Sequence, residues 1–247
     1  MLLYAITSRA LLAGDEAERA ARLVALAADW AASGVDFIQV RENDLAIPDL
    51  TGLAVKIICA VRQRGVLTKV LINVQAAEAA RIALGAGADG IHLKSGLTPE
   101  QLTDAVRQTR LDFPNPVISV ACHSIDEIRS ARTAGATLAV LGPIFEKVLP
   151  GAPARRGAGL KFLAEACGVA SQPTPNAPLP VFALGGVTLE NAGQCITTGA
   201  AGIAAIRLFL NTGSSDPDWR RLISRRDYYA GGPTGRAPAE GSNAAKH

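Results

Sequence analysis

Hydrophobic residues fall into short continuous runs that alternate with longer stretches of helical periodicity. The short runs are rich in Val, Ile, Leu and Ala, which is typical of parallel strands buried on both faces. The longer stretches repeat apolar residues every three to four positions and indicate amphipathic helices. We predict strands at residues 2–7, 36–41, 69–74, 90–94, 117–122, 137–144, 180–185 and 202–208.

End signals place helices between these strands. Thr98 with Pro99 and Gln101, and Ser124 with Glu127, have the spacing of capping boxes that start helices. We predict helices over residues 15–33, 48–64, 76–84 and 160–169, others that start at Thr98, Ser124 and Thr188, and a last one across Trp219.

Eight alternating strand–helix units predict an α/β fold of the (β/α)8 TIM-barrel type, as a single domain over residues 1–229. Three near-repeats, LGAGADGIHL, RTAGATLAVL and ITTGAAGIAAI, each join a glycine-rich helix exit to the next strand. An open doubly wound sheet ranks lower, because no G-x-G-x-x-G motif follows the first strand. Residues 230–247 are rich in Gly, Pro, Ala and polar residues, and we predict a disordered tail.

Composition narrows the classes of partner. The chain has 247 residues, of which 49% are hydrophobic, and its net charge is +3, which argues against nucleic acid or a membrane surface as partner. The four cysteines are scattered without a C-x-x-C pair, so neither a zinc site nor a redox motif is indicated. The N-terminus lacks a basic leader and no apolar run is long enough to span a bilayer, so we expect a cytoplasmic protein.

Polar residues mark the ends of several strands, where barrels of this type carry their active sites. Gln39 and Arg41 lie on the same strand face as Phe37. A buried Arg needs an anionic partner, which we predict to be a substrate group; a salt bridge from Arg41 to Glu42 or Asp44 is the alternative. The other candidate rim residues are Asn73, Lys94, Ser95, His123, Gly142, Pro143, Gly185, Gly186, Ile206 and Arg207.

The stretch ALGGVTLEN is the best-defined candidate site. Its paired glycines, Gly185 and Gly186, let backbone N–H groups approach a ligand, and a helix from Thr188 would add its N-terminus. Phosphate sites in these barrels often use the loops after the seventh and eighth strands. We therefore predict phosphate binding here, with an empty tight turn as the alternative.

We predict different roles for two histidines and for the acids that begin strands. His123 follows the fifth strand and is a candidate general acid/base, since histidine titrates near neutrality; a surface cap residue is the alternative. His92 lies inside a strand and is expected to pack or bond locally. Asp36 and Asp89 begin strands, far from the rim, and are expected to stabilise the fold.

The segments FIQVRE, LIN, ADGIHL, HS, LGPIF, ALGGVT and AAGIAAI together resemble the thiamine phosphate synthase/TenI superfamily over about residues 2–210. The resemblance implies a (β/α)8 barrel and one of two reactions. The synthase joins hydroxymethylpyrimidine diphosphate to thiazole phosphate with magnesium and releases pyrophosphate. The TenI tautomerase moves a proton to aromatise a carboxy-thiazole phosphate, without metal.

This sequence departs from the synthase pattern at positions that the synthase uses to bind magnesium and the diphosphate. Gln39, Arg41 and Glu42 match its Q-x-R-E-K motif, but Asn43 replaces the lysine. Asn73 matches the motif after the third strand, whereas Val74 replaces a metal-binding Asp. No acid occurs in KSGLTP, Ala121 stands where the synthase has Ser, and residues 147–150 do not match its T-x-T-K loop. The sequence therefore predicts no metal site, with magnesium expected only under the synthase hypothesis.

Features of the tautomerase are kept. His123 stands at the position of its catalytic histidine, and RRGAGL resembles its loop after the sixth strand; Arg207 departs from both enzymes, which usually have a small residue there. A TenI-type tautomerase is the main hypothesis. The alternatives are an atypical thiamine phosphate synthase and a non-catalytic relative that binds thiazole phosphate. All three imply a small phosphate ligand, and a homo-oligomer is compatible with each.

Overall fold

Ten strands occur in the described part of the computed structural model, which covers residues 1–74, 83–149, 152–173, 177–210, 218–224 and 226. Of residues 147–149 and 152–155 only the backbone is described. The strands are β1 Leu2–Ile6, β2 Phe37–Val40, β3 Lys69–Val74, β4 Gly90–Leu93, β5 Val117–Cys122, β6 Leu138–Leu141, β7 Lys147–Leu149, β8 Ala152–Arg155, β9 Val181–Leu184 and β10 Gly202–Ala205.

Eight of these strands are parallel and close into a barrel in the order β1–β10–β9–β6–β5–β4–β3–β2. This closure confirms the predicted (β/α)8 fold. The other two strands, β7 and β8, form a separate antiparallel pair in the connection after β6. That pair was not predicted, because the loop has no run of alternating apolar residues.

Helices cover the outside of the barrel. They are α1 Glu16–Ala32, α2 Ile47–Arg62, α3 Pro99–Asp112, α4 Ile125–Ala134, α5 Gly159–Ser171, α6 Ala192–Thr197, α7 Arg207–Leu210 and α8 Asp218–Ser224, with a 3-10 turn at Arg9–Leu11. Capping boxes start α3 at Thr98 and α4 at Ser124, as predicted, and another starts α1 at Asp15. None of the described helices is long and apolar enough to cross a membrane.

Two element boundaries near the rim were predicted wrongly. The last barrel strand ends at Ala205, and Arg207 begins α7 instead of ending a strand. The helix expected from Thr188 begins at Ala192, because the side chain of Asn191 accepts from Thr188 N at 2.8 Å and donates to Gly186 O at 2.9 Å, which holds a turn there. Most of the predicted helix at 76–84 and the whole tail at 230–247 lie outside the described residues.

The barrel interior is filled at its N-terminal half by an aromatic cluster. Tyr4, Phe37 and Phe182 lie with ring centroids 5.6–5.7 Å apart. The inward-facing aliphatic residues Leu71, Leu138 and others pack against them. Since the described residues fill this half, the open space of the interior lies towards the C-terminal strand ends.

Strand-starting acids stabilise the opposite end of the barrel, as predicted. Asp36 accepts from Leu3 N at 2.7 Å and pairs with Arg226. Asp89 accepts from Val70 N at 2.8 Å, and Lys69 Nζ lies 3.1 Å from it.

Candidate active site

A cavity of about 500 Å³ opens at the C-terminal ends of the barrel strands. Strand alternation explains its lining: the residues that follow the aromatic cluster on the inward face of each strand reach this level. The cavity is lined by Ile6, Gln39, Arg41, Asn43, Asn73, His92, Lys94, Ser95, Ala121, His123, Val140, Gly142, Pro143, Leu184, Gly185 and Ile206. Ten of the twelve candidate rim residues (Gln39, Arg41, Asn73, Lys94, Ser95, His123, Gly142, Pro143, Gly185 and Ile206) are among them.

A chain of amides links the ends of β2 and β3. Gln39 Nε2 donates to Asn73 Oδ1 at 3.4 Å, and Asn73 Nδ2 donates to Asn43 Oδ1 at 3.0 Å. Gln39 is 1% exposed, and its Oε1 has no hydrogen-bond partner within the described structure. A buried carbonyl oxygen without a partner is rare in folded proteins, so Gln39 is prepared to accept a hydrogen bond from a ligand.

Arg41 is half-buried beside this amide chain. The salt bridge considered for it is wrong, because both Glu42 and Asp44 are bound by Arg9 instead. No carboxylate of the described chain lies within ion-pair distance of the Arg41 guanidinium. With Lys94, Arg41 places positive charge at one side of the cavity.

His123 is exposed at the end of β5 and is held at two points. Its backbone N–H donates to the Glu127 carboxylate, and its Nδ1 contacts the carbonyl oxygen of Gly142. A carbonyl oxygen only accepts, so Nδ1 carries a proton, and Nε2 is the nitrogen without one in the tautomer that this bond selects. Such an imidazole is equipped to take up a proton.

His92 forms part of the cavity floor and bonds locally, as predicted. Its Nδ1 lies 2.8 Å from Ser119 Oγ, and Tyr4 OH lies 3.3 Å from the same oxygen. Burial, with a further contribution from the charge of Arg41, lowers the pKa of His92 to about 3. His92 is therefore neutral near pH 7, where it cannot act as the positively charged acid of a reaction.

A second cavity of about 440 Å³ shares Leu184, Gly185 and Ile206 with the first. Gly186 and Arg207, the two predicted site residues outside the first cavity, line this one together with Ser8 and Thr188. All twelve candidate rim residues therefore lie in one continuous mouth.

Close packing alone requires glycine at the two paired positions of this mouth, whether or not a ligand binds there. Gly185 and Gly186 have φ of 93° and 64°, and a Cβ on Gly186 would lie 2.6 Å from Glu146 O. Gly185 O accepts from Phe145 N at 3.0 Å, and Gly186 O accepts from the Asn191 amide. In a trans peptide the N–H of the following residue points in the opposite direction to the C=O of the same peptide unit. The N–H groups of Gly186 and Val187 are thus turned away from those protein partners.

Magnesium, which the synthase resemblance implies, does not fit the described lining. Its usual ligands are carboxylate and other oxygens, yet the lining of the first cavity contains no Asp or Glu. Glu42, the acid at the end of β2, already accepts from Thr7 Oγ1 at 2.6 Å and from Arg9. Among the described residues no cluster of three metal-binding side chains occurs. We therefore derive no step through a metal.

Several contributors to the mouth were missed by sequence reasoning. Ser8 lies just after β1 and lines the second cavity, and no motif singles it out. His92 was assigned to packing, although the inward parity that it shares with Lys94 signals that it faces the barrel interior.

The fold and the mouth define a (β/α)8-barrel protein whose mouth, at the strand C-termini, is lined by the cations Arg41, Lys94 and Arg207. The chain belongs to the thiamine monophosphate synthase family, whose profile matches residues 3–209. It is 35% identical to a thiamine-phosphate synthase of Chlorobium luteolum over 77% of this chain and 81% of that protein. It is 30% identical to a thiamine-phosphate synthase of Methanoculleus marisnigri over 90% and 94% of the two chains.

A solved structure, the thiamine phosphate pyrophosphorylase from Pyrococcus furiosus, has the same fold with a TM-score of 0.65. The two chains are 22% identical, and the match covers 92% of this chain and 94% of the other. The family places the protein among thiamine-biosynthesis enzymes of the thiamine phosphate synthase type. The names of these relatives favour the synthase alternative over the tautomerase hypothesis.

Proposed function

We propose that the protein is a thiamine phosphate synthase that joins hydroxymethylpyrimidine diphosphate to thiazole phosphate and releases pyrophosphate. The observation that carries this proposal is the pair of adjoining cavities. Arg41 and Lys94 line the first, and Gly186 and Arg207 line the second. A reaction between two anionic substrates needs two anion-binding regions that meet, and a tautomerase needs room for only one substrate.

The pyrimidine is assigned to the first cavity. Its ring carries an amino group, and the unpartnered Oε1 of Gln39 is an acceptor for such a donor. A carbonyl oxygen without a donor repels an anion, so Gln39 is not assigned to the anionic group that Arg41 binds. Gln39 therefore recognises the ring, while Arg41 and Lys94 bind the diphosphate.

The thiazole phosphate is assigned to the second cavity. The N–H groups of Gly186 and Val187 and the guanidinium of Arg207 supply donors and positive charge for a phosphate. The six-residue helix α6 starts too far along the chain to take the part expected of a helix from Thr188.

Bond formation in this arrangement needs charge stabilisation more than proton transfer. The thiazole nitrogen attacks the exocyclic methylene carbon of the pyrimidine, and the bond from that carbon to the diphosphate oxygen breaks. Negative charge builds up on the departing pyrophosphate, where Arg41 can bind at two points and Lys94 adds a second cation. No Asp or Glu is among the described residues that line the first cavity, so no carboxylate there repels that charge.

A TenI-type tautomerase is the second candidate, and the geometry of His123 favours it. The contact from Nδ1 to Gly142 O leaves Nε2 able to remove a proton from the thiazole ring and return it to the exocyclic carbon. Arg41 would then hold the ring carboxylate.

One set of assays separates the candidates. Purified protein is incubated with both synthase substrates, with magnesium and with a chelator, and thiamine phosphate and pyrophosphate are followed by chromatography and phosphorus NMR. A parallel sample receives carboxy-thiazole phosphate alone, and its aromatisation is followed by absorbance. We expect equal amounts of thiamine phosphate and pyrophosphate. Aromatisation without coupling would replace the synthase by the tautomerase, and no turnover in either assay would indicate a binding protein.

A further inference from the structure

Arg9, just after β1, is a buried cation surrounded by carboxylates. Its Nη1 lies 3.1 Å from Glu42 Oε2, and its two Nη atoms bind the two oxygens of Asp44 at 2.8 Å each. Its Nε pairs with Glu16. The side chain of Glu42 is 2% exposed and that of Asp44 is 65% exposed, so one guanidinium holds both a buried and a solvent-facing acid.

The same cluster adjoins Arg41. The backbone N–H of Arg41 donates to Thr7 Oγ1 at 2.9 Å, and Thr7 Oγ1 donates to Glu42 Oε1 at 2.6 Å. Asp44 follows in a turn closed by the bond from Leu45 N to Glu42 O at 3.2 Å. One short loop thus carries a cation that lines the cavity and two acids that could neutralise it.

We propose that Arg9 is a positioning residue that holds the carboxylates of Glu42 and Asp44 away from Arg41, so that Arg41 is left for the diphosphate of the substrate. This inference rests on the proposed function, in which Arg41 binds that group. A planar guanidinium suits the task because it binds Asp44 at two points and Glu42 at a third. If the ion pair between Arg9 and Asp44 breaks, the exposed Asp44 becomes free to pair with Arg41 across the same turn.

The pKa of Asp44 is consistent with this pairing. The hydrogen bonds from Arg9 are the largest cause that holds it below its ordinary value. Asp44 is therefore fully charged near neutral pH, and a released Asp44 would compete with a substrate anion.

Arg9→Lys is the informative variant. The ammonium of Lys keeps a positive charge near the buried Glu42, but a compact point charge does not reproduce the two-point grip on Asp44. The comparison set is Asp44→Asn, the double variant Arg9→Lys/Asp44→Asn, and Arg41→Gln. Thermal unfolding checks that each variant is folded.

The probe is inorganic pyrophosphate, and its dissociation constant is measured by calorimetry. We expect Arg41→Gln to weaken binding by roughly tenfold or more, as for a lost charge-assisted hydrogen bond, and Arg9→Lys to weaken it by about three- to fivefold, as for competition from a partly exposed ion pair. Adding Asp44→Asn to Arg9→Lys should restore wild-type affinity, and Asp44→Asn alone should leave affinity unchanged. If Arg9 only fixed the loop, without an electrostatic effect on Arg41, removal of the Asp44 carboxylate would not restore the affinity lost in Arg9→Lys.

Three results would overturn the inference: unchanged affinity in Arg9→Lys, a double variant as weak as Arg9→Lys, or pyrophosphate binding that does not depend on Arg41. If Arg9→Lys is unfolded, Arg9→Met/Glu42→Gln takes its place, because it removes the buried charge together with its partner. The binding measurements need no turnover. Failure of the coupling assay would therefore reject the proposed function without deciding the role of Arg9.

Discussion

The imidazole of His123 donates through Nδ1 to the carbonyl oxygen of Gly142, which joins the end of β5 to the end of β6. The bond fixes both the direction of the ring and its tautomer, so that Nε2 is the basic nitrogen. The exposed ring lines the first cavity. A histidine held in this way suits proton transfer, but the coupling reaction transfers no proton to or from carbon.

His123→Gln therefore discriminates between the two candidate reactions. We expect the coupling rate to fall by less than about tenfold, because a general base is not needed for displacement of the diphosphate, whereas any tautomerisation should fall by ~10²–10⁴-fold, the range of general acid–base catalysis. Both rates are measured on the same preparation. If His123→Gln keeps its thermal stability but loses coupling activity by more than a hundredfold, the statement that coupling needs no general base is contradicted.

Arg207 is expected to determine affinity for the phosphate of the thiazole. Arg207→Gln should raise the KM for thiazole phosphate by about tenfold, the effect of one charge-assisted hydrogen bond at an exposed position. The KM for hydroxymethylpyrimidine diphosphate and the use of the dephosphorylated thiazole alcohol should not change. Arg129→Gln is the matched control, since Arg129 is exposed on α4, away from the mouth, and pairs only with Asp126 among the described residues. Equal KM values for the two variants would place the phosphate elsewhere.

Strand alternation is what made the mouth predictable from sequence. The even spacing of Phe37, Gln39 and Arg41 places all three inside the barrel, and the position of the last two at a strand end places them at its open side. The same reasoning located Asn73 and Lys94. These inferences need only local geometry and the direction of the strands.

Features that depend on distant or competing contacts were not predictable in this way. Arg9 and Glu42 are 33 positions apart, and proximity along the chain offered only Arg41 as an alternative partner for Glu42. The side chain of Asn191 competes with helix formation at Thr188, although the sequence there has a helix-like start. The tail's disorder, the cytoplasmic location and a homo-oligomer stay predictions.

Two glycines outside the mouth should respond in opposite directions to substitution by alanine. Gly52 lies in α2, and a Cβ there has no neighbour within 4 Å, so Gly52→Ala should stabilise the protein by about 0.5–1 kcal/mol through its better helix propensity. A Cβ on Gly90 would lie 1.9 Å from Val117 O of the neighbouring strand, so Gly90→Ala should destabilise it by roughly 1–3 kcal/mol. Urea unfolding measures both free energies. A neutral Gly90→Ala would contradict the close approach of β4 and β5, and a destabilising Gly52→Ala would contradict the open space around Gly52.

His92 should make the stability of the barrel depend on pH. Its folded-state pKa of about 3 lies below the ordinary 6.5, because the neutral ring is buried beside Ser119 and Tyr4. Between these values the unfolded chain binds the proton and the folded chain does not. The free energy of unfolding contributed by His92 is therefore complete above pH 6.5 and falls by ~1.4 kcal/mol per unit as the pH drops towards 3. Urea unfolding at pH 7, 6 and 5 should show this slope in the wild type and a flatter one in His92→Gln, whose amide does not titrate. This pH window lies above the acidic range in which the lowered pKa values of Asp44 and Asp89 make stability depend on pH. Identical slopes in the two proteins would mean that His92 gains a proton in the folded state, and the cavity floor would then carry a positive charge.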